Sequence, residues 1–235
     1  MTINNDRFLD WESWRANRIA SVTSAKGNLA LVQTQWLPEG KNADLLGVLA
    51  FHPSTVTATE ISRKNFDGEV VARGYRLWDS NSHAIQDFEG IETFEFDPYW
   101  IVEGLITRYA QSKPVAFEHI RDNGGSRDLA VPAEIAVVIE GESYLLQPFD
   151  DDGQLLLVFG DSTNGSETYG GGRFLKISHE PGEEKVILDF NRAFVPPCGF
   201  SEHYNCPLPP AQNRIKTPVR AGEKRPLFKT SVLNH

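Results

Sequence analysis

Short segments that alternate apolar and polar residues, each closed by turn residues, recur along most of this chain and point to an antiparallel architecture. Leu29–Leu37, Thr55–Ile61 and Glu69–Trp78 read as strands, the last introduced by the hairpin signal Asp67-Gly68. Ile91–Phe96, Trp100–Tyr109, Val115–Ile120, Glu134–Glu140 and Ser143–Phe149 follow, then Gln154–Phe159, Arg173–Ser178 and Lys185–Phe190. Gly141 separates two of these as a tight hairpin, Asp152-Gly153 opens another, and Asn123-Gly124-Gly125 marks a loop tip. A chain of 235 residues with 40% hydrophobic content can bury such strands around one core. The expectation is a single all-β domain over residues 1–235, an antiparallel sandwich or partly closed barrel of about ten to twelve strands.

Two segments depart from alternation. Around residues 5–19, Phe8, Trp11, Trp14 and Ile19 fall on one stripe of a single N-terminal helix. From about residue 195 to 235 the chain is a Pro-rich C-terminal arm. Proline fixes φ and removes a donor, so Pro196 to Pro210 can be neither helix nor central strand. It reads as a rigid crossing that wraps the sheet, and the stretch after Pro210 is expected to run along the surface.

The formal net charge is -9, and an acidic surface repels phosphate backbones, so nucleic acid is not an expected partner. Met1 to Trp14 lacks the basic start and apolar run of a secretory signal, and no apolar stretch is long enough to span a bilayer. The reading is a cytoplasmic protein with no membrane partner and with thiols held reduced.

Both cysteines, Cys198 and Cys206, lie in the prolyl segment with His203 between them and Arg192 and Arg214 flanking it. A thiol with a base or cation nearby can act as a nucleophile or redox group, so Cys198, Cys206 and His203 are the candidate catalytic set. Metal binding by these three with Asp189 or Glu202 matches no established zinc spacing, and no metal is assigned. The plainer alternative is a structural pair, buried or bonded as a disulfide. Ser201, Glu202 and His203 are adjacent, a poor arrangement for a triad, and the chain holds no Gly-x-Ser-x-Gly elbow.

Thr168 to Arg173 is a glycine triplet followed by arginine, able to bring backbone N–H groups and a guanidinium against an anion. It lacks the strand-to-helix setting of a dinucleotide site, and close backbone approach explains the glycines equally. The oxygen-rich loops at Asp161–Glu167 and Asp150–Asp152 fit turn chemistry better than a calcium site. Asp189, Asn191 and Arg192 end a strand as either a site or a bracket, in which Arg192 or Arg214 would tie Asp189 or Glu223. Trp36, Trp78, Trp100, Tyr75, Phe94 and Phe96 read as core or as the lining of a cavity.

The block from Phe159 onward resembles domain-of-unknown-function family 1684 of bacterial proteins. The resemblance rests on Phe159-Gly160-Asp161-Ser162-Thr163, Thr168 to Leu175, Leu188 to Phe194, Pro196-Pro197-Cys198, Cys206 to Pro210, Asn213-Arg214 and Ala221 to Lys224. The N-terminal half is similar more loosely, through Trp14-Arg15, Gly27 to Leu31 and Trp36-Leu37. The resemblance implies no reaction and names no cofactor, so the cofactor stays unknown. Three functional readings remain. One is a small-molecule binding protein with a polar site for a possible small anionic ligand, built from Asp161, Tyr169, Arg173, Asp189, Asn191, Arg192, Arg214 and Glu223. Another is a hydrolytic or thiol-dependent enzyme using Cys198 or Cys206 with His203. The third is a purely structural or protein-interaction role.

Overall fold

Alternation along the sequence is realised as twelve strands among the residues described, 2–122, 124–180 and 182–229 of this computed structural model. Helix α1 (Thr2–Thr23) extends beyond both ends of the expected helix. Strand β1 (Leu31–Trp36) follows, then the one-turn helix α2 (Leu45–Leu49), β2 (Val56–Lys64) and β3 (Val70–Asp79). The one-turn helix α3 (His83–Asp87) precedes β4 (Phe88–Thr93), β5 (Ile101–Glu118), β6 (Ser126–Ile139) and β7 (Glu142–Leu146). Then come β8 (Phe149–Asp151), β9 (Gln154–Phe159), β10 (Arg173–Ile177), β11 (Lys185–Asp189) and β12 (Glu223–Phe228). Each short helix is held by an Asx- or Ser-type cap, Asp44 accepting from Gly47 N–H and Ser82 from Ile85 N–H.

The fold is mostly β, in several antiparallel sheets with no closed barrel among the described residues, and is sandwich-like. The chain divides into two compact units: Met1–Trp14 with Ile91–Gly199 and Asn205–Arg225, and Arg15–Gly90 with Phe200–Tyr204 and Pro226–His235. In the second unit β3 is central to the order β1-β3-β2, over a small core of Ala30, Leu31 and Trp78. Ser201 Oγ donates to the Leu31 carbonyl at 2.7 Å and Arg76 stacks on the Tyr204 ring, which fixes the short Phe200–Tyr204 segment to that sheet.

The first unit carries the larger core. Its sheets run β11-β5-β6-β7 and β10-β9-β8. Along β6 the residues Val131, Ala133, Ile135, Val137 and Ile139 all face inward, as period-two alternation requires. β9 differs: Leu155 to Phe159 are buried without a break, because it is the middle strand of its sheet and is covered on both faces. Each fully buried Leu, Ile or Phe here contributes roughly 1.5–3 kcal/mol of transfer free energy. Two of the hairpin turns read from the sequence have two successive residues at positive φ: Glu140 (52°) with Gly141 (80°), and Asp152 (52°) with Gly153 (85°). That is the type I′ conformation, whose twist matches the flanking strands.

Two expectations are revised. Trp100–Tyr109 and Val115–Ile120 are not separate strands but one long β5, whose pairing with β6 shifts register between Arg108 and Lys113. The irregularity sits just ahead of Pro114, where a regular ladder would lack its N–H. The stretch after Pro210 does not lie along the surface. Ile215, Val219 and Ala221 enter the core of the first unit and β12 pairs with β4. Residues 230–235 of the arm lie outside the described residues. No helix among the described residues is long and apolar enough to cross a membrane.

Candidate functional site

Arg173 opens β10 and is completely buried. One terminal nitrogen meets Asp161 Oδ2 at 2.7 Å and donates to the Val219 carbonyl at 2.6 Å; the other donates to the carbonyl of Ala221. The guanidinium also lies over the Phe159 ring, 5.2 Å from its centroid. Burial pushes the Arg173 pKa down from its ordinary value, and the Asp161 carboxylate opposes that. The second oxygen of Asp161 accepts from Thr163 N–H at 2.8 Å and Thr163 Oγ1 at 2.6 Å, and from Val219 N–H at 3.3 Å. Glu223 is buried as well and accepts from Val195 N–H at 2.8 Å. This network ties residues 219–223 to the β9–β10 connection.

Immediately beside it is an open cleft of about 480 Å³, lined by Asp161, Ser162, the glycines 170–172, Leu208, Pro209 and the segment 214–216. That segment is placed by backbone pairing. Gly160 N–H donates to the Asn213 carbonyl at 3.0 Å and Ile215 N–H donates to the Gly160 carbonyl at 2.8 Å. Asn213 is buried and fixes the start of this segment, donating to the Gln147 and Val158 carbonyls and accepting from Gln147 N–H. Extended chain then sends Asn213 and Ile215 inward and Arg214 and Lys216 outward. Among the described residues no carboxylate pairs with Arg214 or Lys216, and no acceptor takes the N–H groups of Gly170 and Gly171.

A third group surrounds the thiols. Asn205 and Cys206 run beside the end of β5: Ile120 N–H donates to the Cys206 carbonyl at 3.1 Å and Leu208 N–H to the Glu118 carbonyl at 2.7 Å. The Asn205 amide oxygen accepts from Arg121 N–H, and its nitrogen donates to Asp122, which also accepts from Arg127 Nε and Nη2 at 2.7 Å each. Cys198 sits on the short turn Pro197–Gly199. Its N–H donates to Cys206 Sγ at 3.3 Å, and the Tyr169 hydroxyl donates to Cys198 Sγ at 3.6 Å. Neither cysteine is in a disulfide; Cys206 is buried and Cys198 partly exposed. The hydrogen bond from Cys206 lowers the Cys198 pKa, burial works against it, and the Tyr169 hydroxyl and the Arg121 charge lower it further. Burial raises the Tyr169 pKa well above its ordinary value, and the Cys198 thiolate adds to the shift, so the phenol keeps its proton and remains a donor.

Residues 86–224 match the model of a family described as a protein of unknown function (DUF1684). The chain belongs to this DUF1684 family. A related solved structure, the solution NMR structure of the uncharacterized protein from gene locus rrnAC0354 of Haloarcula marismortui, is 32% identical, with a TM-score of 0.48. The similarity covers 58% of this chain and 77% of that one. No curated protein matches.

The matched span of this DUF1684 chain contains every candidate catalytic and polar ligand-binding residue read from the sequence, and the structure sorts them into separate groups. Asp161, Arg173 and Glu223 share the buried network. Arg214 lines the cleft; Tyr169, which precedes its glycines, turns instead toward Cys198. Asp189, Asn191 and Arg192 form a bracket of their own. Asn191 bonds both Asp97 backbone groups and its carbonyl accepts from Trp11 Nε1 at 3.0 Å, while Arg192 pairs with Asp10 and Asp189. His203 belongs to the Phe200–Tyr204 segment of the second unit, where its N–H donates to Ser201 Oγ. Sequence reasoning passed over Asn213 and Lys216, although the run Asn-Arg-Ile-Lys at 213–216 alternates as a strand does. Among the described residues no three His, Cys, Asp or Glu side chains gather as metal ligands.

The clasp on Asn205 has a pH signature. Burial works against the Asp122 carboxylate, but Arg127 and Asn205 outweigh it and hold its pKa below the ordinary value. A carboxyl with a depressed folded pKa stabilises above its unfolded value, and that contribution is lost as pH falls through the folded one. The clasp is therefore expected to be intact at neutral pH and to weaken below about pH 4. Arg127→Ala should flatten this part of the acid limb, as read from urea midpoints measured across that range.

Proposed function

We propose that this protein binds a small anionic ligand in the cleft lined by the glycines 170–172 and the segment 214–216. The observation that carries this reading is convergence. Two outward cations without carboxylate partners line the same cleft as two glycines whose N–H groups have no acceptor among the described residues, in a chain whose formal net charge is -9. Ser162 adds a hydroxyl at the rim, and Leu208 and Pro209 supply an apolar wall for the rest of the ligand. In this reading Asp161, Arg173 and Glu223 hold the cleft in shape, while Asp189, Asn191 and Arg192 brace the neighbouring chain. The compartment that goes with it is the cytoplasm.

Calorimetric titration with inorganic phosphate and with succinate at low ionic strength tests the proposal. Saturable binding of one of them is expected, weakened at least about tenfold by Arg214→Ala combined with Lys216→Ala. Lys185→Ala, which removes an exposed cation paired with Glu103, should leave the affinity unchanged. No saturable binding by the native chain, or equal binding by the double variant, would overturn it.

A further inference from the structure

We propose that Cys198 and Cys206 form a reactive dithiol site that exchanges with low-molecular-weight disulfides, Cys198 attacking and Cys206 resolving. The inference is independent of the anion cleft. It rests on how three parts of the chain converge. The β5 edge holds Cys206 through Ile120 and Leu208, the turn Pro197–Gly199 presents Cys198, and Tyr169 reaches its sulfur from the glycine loop. Glycine is needed at 199 for this: a Cβ there would lie 2.4 Å from Val195 Cγ1 and 3.4 Å from the Tyr169 ring. Cys206 Sγ already lies 3.3 Å from the Cys198 nitrogen, within side-chain reach of the other sulfur. A purely structural pair of small apolar side chains would not require a phenol aimed at the more exposed sulfur.

The roles follow from exposure and hydrogen bonding. Cys198 is the thiol an incoming molecule can reach, and the Tyr169 hydroxyl donates to its sulfur, favouring thiolate. Cys206 is buried behind it, and the Cys198 N–H donates to the Cys206 sulfur, which holds that sulfur beside Cys198 for the second step. In the first step the Cys198 thiolate attacks one sulfur of a disulfide RSSR; the S–S bond breaks, RS⁻ leaves and takes a proton from water, and Cys198 carries SR. In the second, Cys206 gives up its proton and attacks the Cys198 sulfur, the mixed disulfide breaks, and a second RSH departs. The protein loses two hydrogens and two electrons, and RSSR gains them.

The test uses the full chain, fully reduced, with oxidised glutathione as the probe, followed by intact mass and by released thiol. The native chain is expected to lose two hydrogens, retain no adduct and release two thiols per chain. Its exchange rate at neutral pH should exceed that of the same chain in guanidinium by about tenfold or more, since unfolding leaves ordinary thiols. Cys206→Ser should stop at a single adduct on Cys198. Tyr169→Phe should slow exchange and move the midpoint of its pH–rate profile upward, which a merely structural tyrosine would not do. A native chain that keeps an adduct, or that reacts no faster folded than unfolded, would overturn the proposal without recourse to any variant.

Discussion

Arg173→Ala is expected to lower the unfolding free energy by about 3–5 kcal/mol, the cost of breaking a buried ion pair by removing one partner. The side chain has 0% exposure, and the Asp161 side chain beside it is equally buried. Truncation leaves a carboxylate stranded and removes the donors that serve the Val219 and Ala221 carbonyls. The damage should be concentrated in the C-terminal crossing, because those carbonyls belong to it. Arg173→Met combined with Asp161→Asn separates charge from volume. It removes the uncompensated carboxylate and keeps most of the apolar stem, so part of the loss is expected to return, although the carbonyls stay without their donor. Urea midpoints for the two variants check this. A loss under about 1 kcal/mol for Arg173→Ala would mean that Asp161 finds another donor or solvent.

The contrast between the buried pair and the Arg192 bracket shows what the sequence could and could not convey. Arg192 and Asp189 are three apart, so their 3.4 Å contact follows from local geometry, and it is one of the pairings the bracket reading allowed. Arg173 and Asp161 are joined across the β9–β10 connection, and nothing in composition or spacing ranks Asp161 above Asp189 as an arginine partner. The thiol site was obscured in the same way. His203 is near in sequence and drew attention, whereas Tyr169, 29 positions from Cys198, supplies the hydrogen bond. Strands such as β9 and β10 were readable because a period-two pattern is set by the sheet itself. Residues 213–223 were not, because what places them is pairing with Gly160 and with Arg173, both remote in sequence.

That crossing is also where the second large effect is expected: Gly222→Ala should destabilise by roughly 2–5 kcal/mol, combining left-handed strain with overpacking. Gly222 has φ of 79°, and a Cβ there would sit 2.4 Å from the Ala193 carbonyl oxygen and 2.7 Å from that of Phe190. Neither is the end of a flexible side chain, so the crossing itself must move. Its neighbours resist: Glu223 N–H donates to that same Ala193 carbonyl at 2.7 Å, Phe94 N–H donates to the Gly222 carbonyl at 3.0 Å, and the Ala221 carbonyl is held by Arg173. Gly141→Ala is the matched comparison. Its φ of 80° is almost the same, but a Cβ there meets nothing within 4 Å, so only the conformational cost of about 1–2 kcal/mol is expected. The difference between the two urea midpoints therefore measures how tightly the crossing is clamped. Equal losses would mean that it can shift away from the Ala193 and Phe190 carbonyls. A larger loss at Gly222 would show that Arg173, Glu223 and Phe94 hold one rigid unit.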